Sequence, residues 1–533
     1  MKETERAVVL LSRLLPIDPP TRISEFFAPR LESAMLLVAA PTFARFSIVV
    51  TVLAAVGEVA VAVTTHGLML FLALAPLLAL QASPLMLLSY RTQVRRRSVD
   101  GELPFATMLL FILSHESFAN LPDAFKKIEQ LGPDVFPAFY AEAQVLGRNL
   151  AYSNGPELNT IERTFRSHPS GYLRELIHGY QTTLTTGRDV HEFVGDEADR
   201  LLSVQEERWR SFAGGLSSMT EVSFIFLAIF PVGIQMVAGT FAGASSSVLL
   251  GISTLVLSVV AFVLLLWMDG SQPLSRDKTY PAPVLVTLIS AFCATLLLYY
   301  SGFVNSVEAA GTLLGLSALH YVRSRAFFDS LRAGEQEVAG MLHDLAELTR
   351  AGVGLPPALS RLLEDSDGIP SLKLSLSMFA RLLSFGQAPV AAQMKVTHPS
   401  WLVRVSFALL AVSLETGGGF EQLDKLASSF RRVSDSRRSI RSAVLPFAAL
   451  GVAVPFLSAA SFWFLRSMQA LSPGFRLFQA NGSLEGAGGS ILACTVLTGL
   501  LVSKAYSQSV RSAVGMLPLL ASALLSLLTF GSP

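Results

Sequence analysis

Charge is scarce in this sequence, and it is unevenly placed. Only 15% of its 533 residues are Asp, Glu, Lys or Arg, against about 25% in ordinary soluble domains. Cysteine is nearly missing: Cys293 and Cys494 both fall inside apolar runs, which excludes a disulfide framework or a cysteine metal site. No Gly-x-x-x-x-Gly-Lys-Ser/Thr run occurs, so the chain has no loop of that kind to cradle ATP phosphates. Gly352-Val353-Gly354 is explained by a turn. His115-Glu116 and His191-Glu192 lack a second histidine at the spacing of a helical zinc site. The N-terminus does not read as a signal peptide: Val8–Leu15 is short, broken by Arg13 and followed by Pro16, Pro19 and Pro20. It reads as amphipathic helical pieces lying against a membrane or against the first polar insert. A net charge of +1 gives no pointer to nucleic acid, and none is expected as a partner. No catalytic, cofactor-binding or metal-ligating set emerges. The chain is not expected to be an enzyme or to need a cofactor.

What is abundant is apolar sequence, 51% of the residues. A hydrocarbon core about 30 Å thick is crossed by about 20 apolar helical residues. Nine stretches qualify: 46–65, 68–89, 219–240, 247–268, 282–302, 304–322, 443–465, 488–507 and 513–531. Pro231, Pro446 and Pro455 inside them are tolerated in membrane helices and can kink them. Basic residues near the span ends set orientation. Arg91, Arg323, Arg276, Lys278, Lys504 and Arg511 all fall on one side when nine spans are counted. That side is the cytoplasm, and it also holds the N-terminus and both polar inserts.

The inserts, 91–212 and 323–441, hold 29 of the 41 Lys and Arg residues and 29 of the 40 Asp and Glu. They also repeat each other. Ser167-His168-Pro169-Ser170 and Thr397-His398-Pro399-Ser400 lie 230 residues apart, and Thr186-Gly187 matches Thr416-Gly417 at the same offset. Leu121-Pro122-Asp123-Ala124-Phe125 answers Leu355-Pro356-Pro357-Ala358-Leu359 at an offset of 234. Landmarks in one order at nearly one offset mark an internal duplication. Val338, Met341, Leu342, Leu345 and Leu348 form a helical stripe, as do Phe420, Leu423, Leu426, Phe430 and Val433. Each insert is expected to be a bundle of about six short helices whose last member runs on toward the membrane. His168 and His398 precede proline, which favours a turn, with Ser170 and Ser400 near a helix cap. The fold expected is all-α, a polytopic membrane protein of about nine transmembrane helices with two homologous cytoplasmic helical bundles. Its segments are 1–45 (N-terminal amphipathic), 46–90 (spans 1–2), 91–212 (first bundle), 213–322 (spans 3–6), 323–441 (second bundle) and 442–533 (spans 7–9).

Glu58 lies inside the first span, where an ionisable residue is by default a functional hypothesis. It reads either as a group with a polar partner inside the protein or as part of an ion pathway. The arginines Arg95, Arg96, Arg97, Arg431, Arg432, Arg437, Arg438 and Arg441 also have two readings. One is contact with lipid headgroups; the other is docking of an acidic partner surface. The first insert holds 14 basic and 17 acidic residues and the second 15 and 12, so the two need not meet a partner alike.

The two inserts, each with Leu-Pro-x-Ala-Phe/Leu and a later Thr-Gly before an amphipathic helix, resemble the type II secretion F domain. Arg441–Phe456, with Leu445-Pro446-Phe447, is similar to that family's return to the membrane. The likeness covers both inserts and their flanking spans. Four spans between the inserts look more like the archaeal members, platform proteins of type IV filaments such as the archaellum. The resemblance implies a platform in the lipid bilayer, working as a homodimer with a cytoplasmic secretion ATPase and pilin-like filament subunits. Which filament it builds is left open. The first insert departs from the pattern: it has no glycine before Leu121 where the second has Gly352 and Gly354. A secondary transporter with duplicated cytoplasmic domains is the alternative, although transporter repeats usually lie in the membrane.

Overall fold

The computed structural model describes residues 3–12, 19–36, 38–64, 68–115, 121–153, 155–230, 233–234, 245–273, 276–278, 280, 290–295, 297–299, 302–364, 370–471, 484–507, 509, 512 and 514–531. Among them every regular element is a helix. The chain divides into two compact units, Met1–Ala198 and Asp199–Pro533. Parts of the third and fifth expected spans (231–232, 235–240, 282–289, 296 and 300–301) lie outside the described residues. So do Glu116–Asn120 and Arg511.

The first unit opens with α1 (Glu3–Ser12), α2 (Thr21–Ser33), α3 (Ala40–Thr64) and α4 (Leu68–Ser114). The N-terminal helices are amphipathic as expected. Val8, Phe27, Leu31 and Ala34 pack against Phe43, Phe46 and Val50 of α3 and Leu88 of α4. α4 does not stop where its apolar half ends. No glycine or proline stands between Leu85 and Asp100, so nothing interrupts the hydrogen-bond ladder, and the helix carries the chain directly into the first insert. α5 (Leu121–Leu131), α6 (Pro137–Tyr152), α7 (Glu157–Phe165), α8 (Gly171–Thr186) and α9 (Val190–Phe224) follow, and the boundary falls within α9, whose residues from Asp199 on belong to the second unit. A π-helical turn, Ile225–Ile229, extends α9.

The second unit contains α10 (Ser245–Ser271), α11 (Ser306–Arg350), α12 (Leu355–Glu364), α13 (Lys373–Ser384), α14 (Pro389–Lys395), α15 (Trp401–Glu415), α16 (Phe420–Leu471), α17 (Leu484–Ser507) and α18 (Met516–Gly531). α11 and α16 behave like α4: each is one helix that belongs half to an apolar stretch and half to the insert. The last helix of each set runs on into apolar sequence as expected, but the expectation that the others are all short is corrected: the first of each set is long as well, and four short ones lie between them. α16 continues through Pro446 and Pro455 for 52 residues.

The repeat holds at the level of elements, α4–α9 against α11–α16. Gly187 and Gly417 both follow the fifth helix of their set with a left-handed backbone (φ +67° and +68°). That conformation costs an L-residue about 1–2 kcal/mol, which explains why Thr-Gly recurs. The fifth helices differ in surroundings. Every residue from Trp401 to Ser413 in α15 is buried, as expected of a helix apolar all round, whereas α8 buries one face, including Leu173, Leu176, Ile177 and Tyr180.

Two described helices are long and apolar enough to cross a membrane, Ala40–Val59 and Phe420–Ser461. Val256–Ser271, Ser290–Tyr299, Ile491–Ser507 and Met516–Thr529 are apolar but shorter. One cluster joins Tyr299, Ala309, Ala310, Ala459, Ile491, Leu492 and Leu527. Elsewhere in the unit, Lys504 bonds Asp269 (2.8 Å), and the Tyr280 hydroxyl donates to the Arg323 carbonyl (3.4 Å).

Candidate functional site

In each copy the His-Pro-Ser turn sits just before the fifth helix. Proline keeps the preceding histidine out of helical backbone, and the serine then starts the helix. The Ser170 and Ser400 amides each donate to the Nδ1 of their own histidine, His168 and His398, at 3.1 Å. Both serines are fully buried and both histidines nearly so. Each serine hydroxyl also donates to a buried carboxylate on the first helix of its copy. Ser170 Oγ reaches Asp100 Oδ1 at 2.5 Å, and Ser400 Oγ reaches Glu335 Oε1 at 3.4 Å.

Two residues further on, a second carboxylate repeats. Glu102 accepts the Ala138 and Phe139 amides (2.9–3.1 Å) at the start of α6. Glu337 accepts the Ser371 and Leu372 amides (3.0 and 3.1 Å) ahead of α13. Both satisfy otherwise unpaired N–H groups at a helix start. Asp100-x-Glu102 and Glu335-x-Glu337 lie 235 residues apart. An acid-x-acid pair at the repeat offset was the signal that could have found them, and sequence reading missed it.

Beyond this shared frame the copies diverge. In the first, His168 Nε2 faces Glu142 Oε1 at 3.3 Å. Arg95 grips both oxygens of Glu142 at 2.8 Å and donates to the Glu32 and Ser33 carbonyls that end α2 (3.0 Å each). Burial pushes the Glu142 carboxyl up, but the His168 and Arg95 hydrogen bonds outweigh it, so it titrates below the usual range.

In the second copy, His398 Nε2 is buried with no hydrogen-bond partner among the described residues. The ring lies against the α11 backbone at Gly334, where an added Cβ would come within 2.6 Å of it. Burial, then the Arg404 charge, lowers His398 to about 4. Glu335 is engaged by Arg437, which also reaches Asp277 (3.6 Å) and lies 5.6 Å over the Trp209 ring. Asp277 accepts the Trp401 amide (2.7 Å), Lys278 N–H donates to the Pro399 carbonyl (2.8 Å), and Arg404 donates to the His398 and Arg276 carbonyls (2.7 and 2.8 Å). The short basic loop between two apolar stretches is thereby fastened to the second insert. Nothing local in the sequence announces this long-range convergence.

No family model, known protein or solved structure matches this chain.

The candidate arginines separate into two groups. Arg95 and Arg437 are turned inward as the cations of the two hubs, which removes them from any partner-facing surface. Arg96 (3.8 Å from Asp100), Arg431, Arg432 (3.7 Å from Asp199) and Arg438 are exposed. Arg97 is half-buried. The side chain of Arg441 lies outside the described ones. Glu58 accepts a hydrogen bond from Gln81 Nε2 on α4 at 2.9 Å, the polar partner that one of its two readings requires.

Two outcomes follow from the second hub. Removing one partner of a buried ion pair typically costs about 3–5 kcal/mol, and replacing both costs less. Thermal unfolding in detergent should show Arg437→Met far less stable than Arg437→Met/Glu335→Met; equal losses would mean the pair does not hold the hub. His398 binds its proton less readily folded than unfolded, so stability is full above about pH 6.5 and falls as pH drops toward 4. His398→Asn retains an acceptor for the Ser400 amide and should flatten the stability profile across that window. An unchanged slope would assign it to other groups.

Proposed function

We propose that this chain is a membrane platform for assembling an archaeal type IV filament, an archaellum or pilus. In this reading it passes the motion of a cytoplasmic secretion ATPase to pilin-like subunits as they leave the bilayer. The chain works as a homodimer and crosses the membrane nine times, with both inserts and the N-terminus cytoplasmic. It carries out no catalysis itself. The observation that carries the reading is the same polar frame built twice, each copy set on a long helix that continues into apolar sequence. Transporter repeats usually lie in the membrane, whereas a mechanical relay would use polar bundles of this kind.

Several contacts support the crossings. Tyr299, Ala309, Ala459, Ile491 and Leu527 meet in one cluster, while Asp269 meets Lys504 and Tyr280 meets Arg323. In chain order, nine antiparallel spans would put the cluster at one level and the two polar contacts at the other. The level holding Asp269, Tyr280 and Arg323 also carries the 276–278 loop that is fastened to the second insert, in accord with the basic-residue rule. Apolar side chains left uncovered on α3 (Val52, Leu53, Val56), α10 (Phe262, Val263, Leu266) and α16 (Leu445, Trp463, Phe464) are what a lipid-facing surface presents and a water-facing one avoids. Exposed Arg431, Arg432 and Arg438 stand on α16 just before Leu445, where headgroups or an acidic partner would meet them.

The test uses the full chain in lipid nanodiscs with the secretion ATPase of the same cell. Binding that responds to nucleotide, and that weakens at least tenfold in Arg431→Glu/Arg432→Glu/Arg438→Glu, is the expected result. Binding insensitive to nucleotide, or none, would remove the platform reading. Unchanged affinity in the triple variant would return the arginines to the lipid.

A further inference from the structure

The second insert leaves one apolar stripe uncovered, and it lies on α13. At 100° per residue, Leu374, Met378, Arg381 and Phe385 share one narrow face. Leu374 is 80% exposed, Phe385 73% and Met378 41%. Arg381 stands within the stripe and Lys373 beside it, both exposed. The matching helix of the first copy, α6, has Arg148 and the exposed Tyr152 where α13 has Arg381 and Phe385, but half-buried Ala141 and Val145 where Leu374 and Met378 stand exposed. The charges within the stripe's own stretch of sequence have one sign. From Gly368 to Leu414 the sequence contains no Asp or Glu, while the same region of the first copy holds Glu142, Glu157, Glu162 and Glu175.

We infer that the outer face of α13 is a docking surface for a cytoplasmic protein presenting an apolar ridge flanked by carboxylates. Charge selects this occupant. A second copy of the chain meeting its own face would set Arg381 and Lys373 near their counterparts, a like-charge contact that disfavours association. Position speaks against a lipid surface. Ser371 and Leu372 are tied to Glu337, fourteen residues beyond Arg323 on α11, which is about 21 Å along the helix from the expected membrane edge. Past the far end of the stripe, the Val390 amide donates to Glu415 (3.3 Å), at the opposite end of α15 from the membrane-side loop. The stripe therefore runs away from the bilayer. The unbranched Met378 thioether adapts to an irregular partner, and Arg381 is the cation a partner carboxylate would meet. The cytoplasmic sidedness rests on the platform reading; the stripe and its charge do not.

A photoreactive benzoylphenylalanine at Phe385, introduced into the full-length protein in its own cells, tests this, with Tyr152 as the control position. The expected product is a cross-link to a soluble protein at an acidic peptide. Its yield should fall at least fivefold in Lys373→Glu/Arg381→Glu and recover when those partner carboxylates are changed to lysine. Cross-links to lipid or to a second copy, indifference to charge reversal, or no product would each overturn the inference. Labelling of Phe385→Cys by an impermeant maleimide in intact cells, in a Cys293→Ala/Cys494→Ala background, reports sidedness separately. Labelling there would defeat the platform reading while leaving the cross-link to speak for the surface.

Discussion

A buried guanidinium–carboxylate pair, Arg437 with Glu335, is the contact on which the second insert depends. Burying two charges is expensive, and a pair of this kind is weak grounds for overall stability. Its value lies in position. It fixes α16 against α11 at one register, brings Asp277 and its loop to the start of α15, and leaves Ser400 a carboxylate to bond. Any slip of α16 along its axis would strand a charge in the interior. The proposed relay would need that property at the point where the helix leaves its bundle.

The first insert solves the same problem with different parts. Arg95 and Glu142 form its pair, but they anchor to the end of α2 and to His168, all within Met1–Ala198. The second insert recruits Asp277 from the loop between apolar stretches and leaves His398 unbonded at Nε2, packed on Gly334. Val99 stands at the matching position of the first copy. Duplication thus preserved the serine, histidine and acid-x-acid frame, while the outer partners were reassigned. One copy is fastened to the N-terminal helices and the other to the loop after α10. The difference in net charge between the inserts follows the same division, and Leu374 and Met378 extend the exposed apolar face in the second.

How much of this was legible in the sequence depended on range. The repeat, the helical class and the Thr-Gly turns were readable because each is set by local backbone chemistry: glycine for a left-handed residue, serine after proline for a helix start. Glu58 was marked by its isolation among apolar residues, though Gln81 as its partner required the helix pairing. Element lengths were misjudged because the change from apolar to polar sequence at Tyr90, Arg323 and Arg441 is not a change of backbone, and no glycine or proline stands at those positions. Arg95 and Arg437 read as surface charges because runs of arginine usually are. Their carboxylates, 47 and 102 residues away, lie beyond any local pattern.

As a relay, α16 has to be a single rigid element from insert to apolar stretch. Spin labels at Ser428 and Leu457, both exposed, measure it directly by double electron–electron resonance in nanodiscs. Twenty-nine residues of unbroken helix place the two backbones about 43 Å apart, and the account predicts one narrow distribution near that value. A broad or two-peaked distribution, or one centred below about 35 Å, would mean the helix breaks where it leaves the insert and cannot carry motion as argued.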